Sequence, residues 1–158
     1  MGKRIQYRMT LKRAADHEAA HAVLAEAYDS TVTLVVVRQT KKTKQWVGFN
    51  RTKGGRMDHP VPSSVVSYAG SVAETLWHGE SRENVSGGDY KMLVAMGMPD
   101  QAMTARWPHM AHAWPLLWRL TAGEVRRHAK EIRRVSAALR RRKRLTGDQV
   151  RALIAKAR

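Results

Sequence analysis

His17-Glu18-Ala19-Ala20-His21, set inside the run from Leu11 to about Tyr28, decides how the rest of the chain is read. Thr10 stands in front of that run as an N-cap residue, and the alanines within it supply helix propensity and side chains small enough for close packing. On a helix, residues four apart project from one face about a turn apart, so the imidazoles of His17 and His21 reach a common point. That is the spacing two ligands need to grip one tetrahedral ion, and Glu18 beside the first can serve as general base toward a water held there. A zinc ion would bring that water's pKa toward neutrality and polarise a scissile carbonyl, while Glu18 takes the proton and returns it to the leaving amine. With seven histidines in 158 residues, a pentapeptide of this form arises by chance roughly once in a hundred such chains. Two histidines on an exposed helix face are the plain alternative.

Beyond this helix, Thr31-Val32-Thr33-Leu34-Val35-Val36-Val37-Arg38 is dense in β-branched residues and reads as a strand. Lys41 to Lys44 is a charged turn, and Gln45 to Asn50 a second short strand, its hairpin partner. Arg51 to His59, with Gly54-Gly55, reads as a loop. Pro60 and Pro62 open a helix of about Ser63 to His78, ended by Gly79. After a loop from Ser81 to Gly88, short helices are expected over Asp89–Met96 and Pro99–Trp107. A longer helical stretch runs from His109 to Arg142, with Pro115 expected to kink or break it. Thr146-Gly147-Asp148-Gln149 forms a capping box for a last helix reaching about Ala157. The fold class is therefore mainly α with a small β-hairpin or sheet, and with the His17–His21 motif on its first helix a zincin-like metallopeptidase domain is the expectation. Residues 1–158 form one domain, with a basic N-terminal segment over 1–10 and a basic helical part over 124–158.

Composition narrows the chemistry. Cysteine is absent, so disulfides and thiolate metal sites are excluded and a metal must be held by His, Asp or Glu. A catalytic zinc takes three protein ligands and a water. His21 is followed by Ala22-Val23-Leu24-Ala25, not by the metzincin continuation, so the third ligand is sought among Glu74, Glu80, Glu83 and Asp89. Asp89 stands behind Gly87-Gly88 at a helix start, where a carboxylate is also an ordinary dipole partner.

The order HEAAHAV, TVTLVVVR, VGFN, SYAGSVAETLWHGE and NVSGGDYKMLVAMGM resembles the peptidase domain of FtsH-type AAA proteases, and the closing LTGDQVRALI is similar to that family's last helix. The resemblance covers nearly the whole chain from about Leu11. It implies His17, His21 and Asp89 as zinc ligands and Glu18 as the base. Glu74 is implied as a carboxylate behind a ligand histidine, with the rival role of third ligand. Either strand of the hairpin is a possible edge on which substrate lies as an added strand. Two positions depart from the family pattern: Ala20 stands where a glycine is usual, and Gly88 where an asparagine precedes the aspartate. No Walker A loop occurs in these 158 residues, so peptide hydrolysis without ATP is expected, on flexible or unfolded segments. Without an ATPase ring the resemblance carries over no oligomeric state.

A net charge of +16 draws polyanions. Arg126 to Arg144 holds ten Lys or Arg against one acid, with Val125, Ile132, Val135 and Leu139 at helical spacing. Such a helix is either a solvated face over an apolar seam or a docking surface for nucleic acid or an acidic partner. The rival reading of function follows: a basic nucleic-acid-associated regulator that keeps the peptidase fold without proteolysis. Trp107, Trp114 and Trp118 read as core, and His109 and His112 as structural or exposed. No apolar run is long enough to span a bilayer and no secretory signal is visible, so a cytoplasmic location is expected.

Overall fold

The computed structural model describes residues 8–55, 59–79 and 114–158. The expected helices over Asp89–Met96 and Pro99–Trp107, the loop before them, and Asp89, Trp107, His109 and His112 lie outside these residues.

Helix α1 (Leu11–Ala27) is the central element. Thr10 caps it as expected, its Oγ1 accepting from Arg13 N–H at 3.2 Å. At its end Asp29 adopts a left-handed conformation (φ 62°) and Ser30 N–H closes on Ala25 C=O at 2.9 Å, the wrap by which helices stop. Ala14, Ala15, Ala19, Ala20, Ala22 and Ala25 are all buried. Their small size lets helices and sheet approach α1 from several directions, so burial is not confined to one stripe.

Strand β1 (Thr31–Gln39) pairs antiparallel with β2 (Trp46–Lys53), from Thr31 opposite Lys53 to Gln39 opposite Trp46. The register shifts between Val32 and Leu34, a bulge after which Val35 and Val37 continue to point into the core. Strand β2 runs on to Lys53, past the point where a loop was expected. A third strand, β3 (Arg144–Thr146), pairs antiparallel with the other side of β1, giving the order β2-β1-β3. Strand β1 is therefore central and is not an edge for substrate; β2 is the outer strand on the hairpin side.

Helix α2 (Pro60–His78) starts three residues earlier than expected, because a proline in the first turn gives up only an N–H that has no helical partner. Gly79 ends it in the left-handed conformation, its N–H on Thr75 C=O at 3.0 Å. The C-terminal helical stretch is two helices, α3 (Trp114–Arg127) and α4 (Ala129–Arg142). A break falls at His128, where none was expected; Pro115 is the second residue of α3, and the stretch before Trp114, on which its expected kink or break depends, lies outside the described residues. Helix α5 (Gly147–Ala155) has the expected capping box between Thr146 and Gln149.

Helices α2 and α4 pack on α1, α3 packs mainly on α2, and α5 closes against α4 and β1. Val125, Ile132, Val135 and Leu139 are fully buried, so the apolar seam of the basic segment faces the core while its arginines face out. Among the described residues no helix is long and apolar enough to cross a membrane.

Candidate metal centre

The two histidines of α1 turn toward α2, not toward solvent. His17 Nδ1 lies 2.5 Å from Oε1 of Glu74, and His21 Nδ1 lies 2.6 Å from the carbonyl oxygen of Val66, both on α2. The two Nε2 atoms then face each other at 3.0 Å, with ring centroids 4.7 Å apart. Each Nδ1 meets an acceptor, so each carries the proton and each Nε2 keeps its lone pair. Two lone pairs at this separation repel unless a cation or proton lies between them. Two nitrogens at zinc distance in a tetrahedron are about 3.3 Å apart. The donor set thus fits a divalent cation that favours imidazole nitrogen.

Burial drives His21 the same way. Desolvation, reinforced by the neighbouring His17, pushes its pKa down to about 3, with the Val66 carbonyl opposing. The ring is therefore neutral near pH 7, the state a metal ligand needs.

Glu74 is fully buried, and it sits on the Nδ1 side of His17, away from the paired Nε2 atoms. The fit between α1 and α2 is close. Gly70 lies against the His17 ring, and a Cβ there would fall on Cδ2, Nε2 and Cε1 of that ring. A glycine in mid-helix costs about 0.5–1 kcal/mol relative to alanine, so the position is one where close approach outweighs helix propensity.

Glu18 turns toward the sheet. Its carboxylate Oε2 accepts from the Asn50 side-chain amide on β2, and the same amide donates to the Glu18 main-chain oxygen at 3.1 Å. Gly48, also on β2, lies directly over the Glu18 side chain, so that any Cβ there would collide with Cγ. Burial pushes the Glu18 carboxyl above its ordinary value, while the charge relation with His17 and the Asn50 hydrogen bond pull it back and Glu74 adds to the rise. A carboxylate held above its ordinary pKa is a stronger base than a free one, which suits it to taking up a proton and giving it back.

A cleft of about 150 Å³ opens beside these groups, lined by Met9, Ala14, His17, Glu18, Trp46, Val47 and Gly48. Trp46 N–H donates to Met9 C=O at 3.0 Å, so it points away from β1. By the alternation of an antiparallel strand, Gly48 and Asn50 present their backbone N–H and C=O to the same outer edge.

The structure thus brings His17, Glu18, His21 and Glu74 together, and Asp89 lies outside the described residues. Among the described residues no three His, Asp or Glu side chains converge on one point in the manner of a complete ligand set. Sequence reasoning passed over Asn50, Gly48 and Gly70 as site residues. The two glycines had a legible signal, since a lone glycine inside a strand or helix marks close backbone approach. Asn50 had none, because its role depends on the hairpin register. The chain matches no family model and no curated protein.

Proposed function

We propose that the chain is a zinc metallopeptidase that hydrolyses peptide bonds in flexible or unfolded protein segments without ATP. The observation that carries this reading is the facing pair of Nε2 atoms, each oriented by an acceptor on its Nδ1, with the buried Glu18 carboxylate one residue along the helix. The helix order resembling the FtsH-type peptidase domain supports it.

His17 and His21 would hold the ion through Nε2, with Asp89 as the third ligand and Glu74 orienting His17 from behind. Zinc, when bound, supplies a Lewis acid that acidifies a water and polarises the scissile carbonyl. Glu18 accepts the water's proton and delivers it to the leaving nitrogen; Asn50 takes up Oε2, which leaves Oε1, on the Gly48 side, as the oxygen for that transfer. The outer edge of β2 offers backbone groups of Gly48 and Asn50 to an extended segment laid alongside, a mode that reads main chain rather than side chains. The lack of a side chain on Gly48 lets β2 itself come close to Glu18, which brings the strand's outer edge near that carboxylate.

The test is zinc content and casein cleavage of the purified wild type beside Glu18→Gln, Asp89→Ala and Glu74→Ala. One zinc per chain is expected in wild type and Glu18→Gln, with cleavage falling by about 100-fold or more in the variant. Zinc lost with Asp89→Ala assigns the third ligand; zinc lost only with Glu74→Ala moves that role to Glu74. A wild type without zinc, or a Glu18→Gln protein that cuts as fast, would sink the reading.

A further inference from the structure

One residue before His17, α1 turns away from the metal side. Asp16 is buried between α1, α2 and α4, where it accepts from Ser136 Oγ at 2.5 Å and lies 2.9 Å from both Lys12 Nζ and His78 Nε2. Above this carboxylate lies a cleft of about 490 Å³, lined by Lys12, Asp16, Leu76, Trp77, Arg133, Ser136 and Arg140. Its lining holds three cations and one carboxylate, and that carboxylate is already engaged by three donors.

Arg133 and Arg140 are exposed and have no carboxylate partner among the described residues. They stand seven residues apart on α4, two turns along one face and about 10.5 Å in rise. Arg133 also lies over the Trp77 indole, 5.4 Å from the ring centroid, and forms a cation–aromatic pair with it at the cleft wall. Beyond Arg140 the exposed Arg141, Arg142 and Arg144 continue the positive surface.

We propose that this cleft binds single-stranded nucleic acid, with Arg133 and Arg140 on phosphates and the Trp77–Arg133 pair as the platform on which a base stacks. Exposed arginines beside an aromatic face are the two parts such a site needs: charge to track the backbone and a flat surface for unpaired bases. An acidic peptide would use the cations and leave the indole idle. The net charge of +16 adds long-range attraction for a polyanion but places it nowhere; the cleft does. The inference stands apart from peptidase activity, because none of its residues is a proposed ligand or base.

The experiment measures binding of a short labelled oligothymidine by fluorescence anisotropy across a salt series. The proteins are wild type, Arg133→Ala/Arg140→Ala, and Lys41→Ala/Lys42→Ala, which removes the same charge from the exposed β1–β2 turn. The cleft variant is expected to bind about tenfold or more weakly and to lose about 1.4 from the slope of log K against log salt, two single-strand phosphate contacts. The turn variant is expected to bind within about twofold of wild type. An abasic oligonucleotide of equal length is expected to bind wild type several-fold more weakly, reporting the stacked base. Equal loss in both variants, undiminished binding of the abasic strand, no binding at all, or tighter binding of polyglutamate than of oligothymidine each overturns the proposal, the last in favour of an acidic protein partner.

Discussion

His17 Nδ1 and Glu74 Oε1 stand 2.5 Å apart, joining α1 to α2 across 57 positions of the chain. Glu74 has no exposure to water, so the pair holds a carboxylate in the protein's interior. Burying an ionised carboxylate is costly unless it is hydrogen-bonded, and the imidazole N–H supplies one such bond. The contact also fixes the tautomer that leaves Nε2 open toward His21.

Glu74→Gln keeps an oxygen that can accept from Nδ1 and removes the charge. Zinc affinity is expected to fall about 10–100-fold with little loss of fold. Glu74→Ala should lower affinity at least as far and cost about 1–3 kcal/mol of stability as well, since the His17 N–H is left without this acceptor. Competition with a chromophoric chelator, run beside urea denaturation of the same proteins, reads both. Unchanged zinc affinity in both variants would show that Glu74 serves packing alone.

Gly70 and Gly123 make a matched pair of helical glycines. A methyl group at Gly70 would meet the His17 ring, whereas one at Gly123, an exposed position of α3, meets nothing within 4 Å among the described residues. Gly70→Ala is therefore expected to cost about 1–3 kcal/mol and to disturb zinc binding, as overpacking forces α1 and α2 apart. Gly123→Ala should stabilise by about 0.4–1 kcal/mol through the unfolded chain. Equal effects of the two on denaturation midpoint and zinc affinity would show that the α1–α2 approach does not depend on Gly70.

What could be read from the chain without coordinates followed how local its cause is. The cap at Thr10, the box at Thr146 and Gln149, and the β-branched run of β1 depend on neighbours within a few residues. The break at His128 did not announce itself, since no proline stands there. Strand β3 is three residues with an arginine at its head, and it is a strand only because the free side of β1 pairs with it. The site divides in the same way. His17, Glu18 and His21 share one helical turn and were visible as a spacing. The hold of Asn50 on Glu18 spans 32 positions and that of Ser136 on Asp16 spans 120, and no pattern in the sequence brings those side chains together.

Asn50→Ala removes the hydrogen bond that helps keep Glu18 ionised. With burial left unopposed by that bond, the Glu18 carboxyl rises further above its ordinary value. Because the ionised form is the base in the proposed reaction, the acid limb of the kcat/KM profile for peptide cleavage is expected to move to higher pH. The plateau above that limb should fall less than in Glu18→Gln. A limb that stays in place while activity drops uniformly would mean that Asn50 acts only on the hairpin.

In the metal-free protein, His21 is a source of acid instability. Its pKa is held at about 3 by burial, while in the unfolded chain it lies near the ordinary 6.5. The folded value is the lower one, so the unfolded state binds the proton first. The stabilisation of the neutral ring is complete above pH 6.5 and is lost as pH falls toward 3, by about 1.4 kcal/mol per pH unit. His21→Gln places a group at this position that does not titrate. Its stability relative to the chelated wild type is therefore expected to improve steadily between pH 6.5 and 4, even if the variant is the weaker protein at pH 8. Urea denaturation at stepped pH, with chelator throughout, gives the difference directly. Parallel curves for the two proteins over that range would show that the unfolded and folded states protonate His21 alike and that the ring is not buried as neutral imidazole. Zinc added back to the wild type should steepen its loss of stability with acid, because protons then also compete for the ligand nitrogens.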